Sequence, residues 1–305
     1  LKNSLSKVNQ DEVFAFGWDV EFQCIDTNSG LPTYPEIDDQ GNFTVFRDYA
    51  ASEIASSREE YDREKQRELI TMAKIRLLGS PDFNPYFHDI LRFSPEVWKN
   101  MPPEFRAMGC RPDENLYGLS TNKDKFDDVP MRSCGGHIHI GVRNGISGGS
   151  VYVDMLNNNL LVKNLDKLLA IFNTVYNRRN QKLRREIYGQ PGTFRTKEYG
   201  LEYRTLDNSW WPITEICDFN LTLLQIALDY TCNETEVSGS ENYVDIILED
   251  NPKAALESIL TSIGKFKIPF DRKKKMKAFV RFFEDHPITT SFISPNNQTW
   301  EALPL

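Results

Sequence analysis

The chain has 305 residues, 40% hydrophobic and 26% charged, a balance that excludes a disordered or low-complexity chain. Its net charge of −8 argues against general nucleic-acid binding while leaving room for a small basic pocket. No stretch approaches the roughly 20 apolar residues of a membrane span, and Cys24, Cys110, Cys134, Cys217 and Cys232 lack CxxC spacing. They read as reduced thiols of a cytoplasmic protein, not as a disulfide or zinc framework.

From Phe14 to Cys24 apolar residues alternate with Gly17, Asp19, Glu21 and Gln23, which predicts a strand with one greasy and one polar face. Turn residues from Asp38 to Asn42 make Phe43 to Arg47 the returning strand of a hairpin. Ala51 to Leu78 reads as a helix with a charged surface. Residues 80–132 are proline-rich and read as loops with short elements. A strand follows at Gly136 to Val142, then a loop from Asn144 to Ser150. A long helix from about Val151 to Tyr188 buries Leu161, Leu165, Leu168, Leu169, Phe172, Val175 and Tyr176. The remainder predicts a strand near Tyr199 to Leu206 and helices near Ile213 to Cys232, Pro252 to Ile263 and Asp271 to Asp285, the last capped by Asp271. The expected fold is α+β in one domain spanning 1–305. It has an antiparallel sheet with a polar catalytic face, helices packed on the other face, and a helical part over about 212–305.

Three polar pairs stand out. Asp19 and Glu21 point to one side of their strand and repel each other unless a cation or basic groups intervene; hard cations such as Mg²⁺ take such oxygen ligands. The bland alternative is a solvated sheet face. His137 and His139 share a face of the Gly135-Gly136-His137-Ile138-His139 segment and hold two of the chain's four histidines; a structural pair is the alternative to a metal site. Glu202 and Arg204 share a face and equally suit a plain cross-strand ion pair. Just before them, Arg184, Arg185, Tyr188, Gly189, Gly192 and Arg195 form a basic, glycine-punctuated stretch suited to phosphate oxygens or, more blandly, to a solvated helix end. Asp113 and Glu114 follow Gly109 to Pro112 in a proline turn, and Arg272 to Lys277 is a basic run that suits a wet helix face. No Walker-type loop, GxGxxG or GxSxG is present.

Taken in order, the acidic-x-acidic strand, the Gly-Gly-His-x-His strand, the Arg/Gly loop and the Glu-x-Arg strand resemble the phage-type carboxylate–amine ligases (amidoligases) of the glutamine synthetase-like superfamily. The matching blocks lie between about 14 and 211. The resemblance implies a glutamine synthetase-like catalytic domain in which ATP phosphorylates a carboxylate and an amine displaces phosphate to give an amide or peptide-like bond. It implies ATP and two or three Mg (or Mn) ions. Asp19, Glu21, His137 and Glu202 would be metal ligands, with Asp113 or Glu114 completing a second site. His139 would face substrate or phosphate. Arg195 and Arg204, assisted by Arg184 or Arg185, would contact phosphate and steady the transition state. Asp19 stands where the superfamily often has Glu. The implied partners are a small-molecule or peptide carboxylate and an amine, with no membrane; a nucleobase-linked substrate and a homo-oligomer are compatible with it. A phage-encoded enzyme would work in the host cytoplasm. The competing readings are a metal-dependent hydrolase using the histidines and carboxylates, and a non-catalytic binding protein.

Overall fold

The computed structural model describes residues 5–57, 60–106, 113–120, 129–143, 146, 149–179 and 181–289, with the backbone of 292–293. Cys110 and the Gly109 to Pro112 turn lie outside the described residues. The alternating segment is strand β1, Phe14–Asp26. Phe14, Phe16, Trp18, Val20, Phe22 and Cys24 all enter the core.

Strands β2 (Phe43–Asp48) and β3 (Ala51–Ser56) form a hairpin. It is β3, not β2, that lies against β1, pairing Glu53 with Glu21 and Ala55 with Asp19. This corrects two expectations. Residues 51–56 are strand because Ser52 and Ile54 enter the core while Glu53 and Ala55 take the opposite face. Helix α1 starts only at Arg63–Leu78, where Asp62 caps it by accepting from the Lys65 N–H at 2.9 Å. The proline-rich region contributes strand β4 (Phe83–Phe87), which pairs with the far half of β1, and the short helix Pro95–Asn100.

On the other side of β1 lies β5 (Gly136–Val142), and beyond it the hairpin of β6 (Thr193–Lys197) and β7 (Gly200–Tyr203). The antiparallel order across the main path is Ile37–Asp38, β2, β3, β1, β5, β7, β6, Glu114–Asn115. Trp18, Ile138, Ile140, Leu201 and Tyr203 form the buried back of this sheet. Helices cover it: α2 (Asn158–Leu165) runs through a π turn (Asp166–Ala170) into α3 (Ile171–Tyr176). α4 is Gln181–Ile187, α5 Thr214–Cys232, α6 Pro252–Lys265 and α7 Phe270–Asp285.

The single helix expected over 151–188 is therefore several pieces. Asn157 accepts from the Leu160 N–H and starts α2 afresh. Asn177 turns extended and donates its side-chain amide to Asp207 at 2.8 Å, which ends α3. Asp271 sits in the first turn of α7 without capping it; the cap position is Pro269. Among the described residues no helix is long and apolar enough to cross a membrane.

A candidate active site on the polar sheet face

Ladder register, not sequence proximity, assembles the site. Asp19 pairs with His137, Gly17 with His139, His139 with Glu202, and Glu202 with Arg195. Because side chains directly opposite in a ladder point to the same face, these pairings and the period of two put Asp19, Glu21, Glu53, His137, His139, Glu202, Arg195 and Lys197 together. The face is not a solvated one: Glu21 is 3% exposed, His137 2% and Glu202 2%. Gly135 leaves the room this needs, since a Cβ there would overlap the His137 ring.

Asp19 joins the two histidines. Its Oδ1 meets His137 Nδ1 and its Oδ2 lies 2.7 Å from His139 Nε2. Burial alone would raise the Asp19 pKa, but His137 and His139 outweigh it and hold the carboxyl well below the usual range. Asp19 is therefore an acceptor for both rings. His137 is lowered by burial and by the Arg204 guanidinium, so its ring is neutral and its Nε2 accepts from the Tyr188 hydroxyl at 2.9 Å. The hydroxyl of Tyr199 closes the other end of the chain at His139 Nδ1.

Glu202 meets Arg204 Nη1 and lies 2.6 Å from Lys197 Nζ. Asp113 Oδ1 accepts from Arg195 Nε at 2.9 Å and lies in an ion pair 3.2 Å from Arg204 Nε. The expected metal ligand Asp113 thus serves in this arrangement to align two arginines. On the far side, Glu21 accepts from the Gly135 N–H at 2.7 Å, and Arg132 Nη2 donates to Asp48 at 2.7 Å and Glu21 at 3.4 Å. Glu53 is raised well above the usual carboxylate range by burial and by Asp19, Glu21 and Asp48. Asp48 is raised by burial and Glu21, with Arg132 opposing. These carboxylates exceed the local positive charge, which is the condition a divalent cation relieves.

Among the described residues two groups bring ligand atoms within 4.8 Å of one another: Asp19, His139 and Glu202, and Glu21, Asp48 and Glu53. Oxygen donors with a single imidazole suit Mg²⁺ or Mn²⁺. His139, expected toward substrate, thus stands in a potential ligand group, and His137 behind it on Asp19. Both groups open into one cavity of about 580 Å³, which Arg195, Lys197 and Arg204 also line.

Arg184 and Arg185 are elsewhere, contrary to the expectation that they face phosphate. Both are buried. Arg184 donates to the carbonyls of Cys134, Thr205 and Leu206; Arg185 donates to that of Ile247 and pairs with Asp250. Their guanidiniums hold the backbone behind the site, because buried carbonyls need donors. The sequence reading missed Asp48, Glu53, Arg132, Lys197 and Tyr199. Lys197 was legible, being two residues from Arg195 on a strand. Asp48 and Arg132 meet across 84 residues and leave no local signal.

Comparison with curated proteins gives no match. Among solved structures, a bifunctional glutathione synthetase from Pasteurella multocida is similar at a TM-score of 0.47 and 10% identity, over 88% of this chain and 47% of that one. The chain therefore spans about half the length of that enzyme. A structure described as a novel glutamine synthase homolog aligns at a TM-score of 0.29 and 12% identity, over 91% of this chain and 72% of that one. Residues 127–242, which supply His137, His139, Arg195, Lys197, Glu202 and Arg204, match the family described as Phage phiEco32-like COOH.NH2 ligase-type 2.

Proposed function

We propose that the protein is an ATP- and Mg-dependent carboxylate–amine ligase that forms an amide through an acyl phosphate and releases ADP and phosphate. The observation that carries this reading is one cavity lined both by two groups of potential metal ligands and by Arg195, Lys197 and Arg204. Phosphoryl transfer needs charge neutralisation and alignment more than it needs a protein nucleophile, and these side chains supply both. Asp19, His139 and Glu202, with Glu21, Asp48 and Glu53, would hold divalent ions, which when bound neutralise the transferring phosphoryl group.

The chain's own residues divide the remaining work. Arg195 and Arg204, held by Asp113, present fixed guanidiniums to phosphate oxygens. Lys197 adds a cation on the more exposed β6 side. Asp19 fixes the orientation of both imidazoles through its two oxygens, with Tyr188 and Tyr199 steadying their outer nitrogens. The acidic side chains draw the ammonium form of an incoming amine into the cavity. Cys24, Cys134, Cys217 and Cys232 are free and buried, which suits work in a reducing cytoplasm.

The test is incubation with Mg²⁺, ATP and pooled carboxylates and amines, amino acids and polyamines included. Substrate-dependent ADP with a new amide mass is expected. No such ADP across a wide pool, together with no Mg–ATP binding, overturns the reading.

A further inference from the structure

A second cavity, of about 470 Å³, lies outside the polar sheet face. It falls within the size range of small-molecule sites. Its walls are mostly apolar: Leu31 and Pro32 from one loop, Val97, Met101 and Pro102 from around the short helix Pro95–Asn100. Leu31 is 55% exposed. One cationic side chain, Arg47 of β2, lines it.

Arg132, Arg179, Arg195 and Arg204 each have a carboxylate partner. Among the described residues no carboxylate lies within ion-pair range of Arg47, although Glu96 lines the same cavity. Instead, its guanidinium carbon lies 3.8 Å from the ring centre of Tyr34 and 3.5 Å from that of Phe105. Its Nε donates to the Tyr49 carbonyl at 2.9 Å, and the Tyr34 hydroxyl is a further partner. The rings hold the guanidinium by its faces and leave N–H groups along its edge, out of the five it carries, without a partner among the described residues. In-plane N–H pairs are what a carboxylate takes bidentately.

The corner that Arg47 holds is itself strained. Tyr49 is in the left-handed region at φ 50°, where a bulky side chain persists only if its surroundings enforce it. Its side chain lines the candidate active site, with the Arg132 guanidinium 5.4 Å from the ring centre. Arg47, which lines the second cavity, thus stands two residues from Tyr49, which lines the first.

We propose that this second cavity binds a carboxylate with an apolar body, the carboxylate pairing with Arg47 and the body lying between Leu31, Val97 and Met101. The carboxylate has two sources, the far end of an acyl substrate or a separate molecule. The inference does not rest on the ligase reading, because binding is measured without ATP.

The test is ligand-observed NMR or calorimetry on the full chain with hexanoate and phenylacetate, using hexanamide and hexyl phosphate as controls. Saturable binding of both carboxylates and none of hexanamide is expected. Arg47→Gln should weaken binding about tenfold or more, as the loss of a charge-assisted pair does. Val97→Phe, on a separate element, should weaken it similarly by filling the space, with unchanged melting temperature showing that the variant is folded. Absence of saturable carboxylate binding, equal binding to folded Arg47→Gln, or binding of hexanamide or hexyl phosphate as tight as hexanoate overturns the proposal. Once a ligase substrate is known, a raised KM with unchanged kcat in Arg47→Gln identifies the ligand as that substrate's far end. An unchanged KM, with the loss of hexanoate binding retained, identifies a separate carboxylate.

Discussion

Asp19 and His137 face each other across the β1–β5 ladder, and the same carboxylate reaches His139 with its second oxygen. One aspartate thus sets the orientation of both histidines of a strand. The shorter reach of Asp suits that role, since both rings come to it. What remains of the charge in the site is unequal, with a surplus of carboxylate around Glu53, which Asp19, Glu21 and Asp48 surround.

That surplus leads to a first prediction. Adding Mg²⁺ or Mn²⁺ at about 100 times the dissociation constant should stabilise the chain by about 2–3 kcal/mol, the linkage expected of a ligand that binds only the folded state. Glu53→Gln should remove that gain, yet leave the metal-free protein more stable than the wild type, because burial and three neighbouring carboxylates disfavour the Glu53 charge. Melting curves with and without the ion decide it; a metal-induced shift that survives Glu53→Gln speaks against this ligand group.

Two arginines that look alike in sequence should behave oppositely. Arg184→Met should destabilise by about 3 kcal/mol, since three buried carbonyls each lose a donor and that of Leu206 alone keeps another, the Gly136 N–H, among the described residues. Arg195→Met should change stability by less than about 1 kcal/mol, because its pair with Asp113 is partly exposed and Arg204 also holds Asp113. Its cost should appear in kcat/KM, by roughly 100-fold, as for other donors aimed at developing charge. Urea unfolding beside steady-state kinetics separates the two.

Behind the site, Asp166 accepts from the hydroxyls of Tyr203 at 2.7 Å and Tyr117 at 2.8 Å. Burial pushes its pKa up to about 7 despite those hydrogen bonds. The folded state therefore keeps a proton that the unfolded chain has lost. Its contribution to stability is fully present below the ordinary carboxylate pKa and declines as pH rises toward about 7, a loss on the order of 4 kcal/mol. Asp166→Asn should lack this decline. Unfolding free energies at pH 5 and pH 8 should converge in slope for wild type and variant if Asp166 is not the cause.

Glu202 is held by Lys197 and Arg204 while standing in a potential ligand group with Asp19 and His139. Glu202→Gln should lower kcat/KM by roughly a thousandfold, with loss of Mn²⁺ relaxation enhancement in parallel. Tyr199→Phe, which removes only the hydroxyl at His139, should cost about tenfold. Equal losses for both would mean that Tyr199 acts as more than a positioning group.

The strands that carry the predicted site were legible because each alternates with period two: β1 from Phe14 to Cys24, β5 from Gly136 to Val142, and the Glu202-x-Arg204 segment. What local pattern cannot give is pairing partner. Glu53 becomes a site residue through its register with Glu21, and its strand is short and flanked by helix-favouring residues. The same limit misplaced Arg184 and Arg185, since a basic glycine-rich stretch looks alike whether it binds phosphate or buried carbonyls. The two outcomes differ in burial, which depends on where α4 packs, with Ile187 in a cluster with Met131 and Tyr188. His137 and His139 were separable only by the three-dimensional position of Glu202, opposite His139.

The central claim is that a carboxylate is activated as an acyl phosphate in this cavity. The most direct measurement uses an acyl substrate found by the ADP screen, labelled with oxygen-18 in its carboxylate, and follows the label by mass spectrometry. The account predicts that label appears in inorganic phosphate in step with amide formation, with ADP as the nucleotide product. Phosphate free of label, or AMP with pyrophosphate in place of ADP, would contradict it.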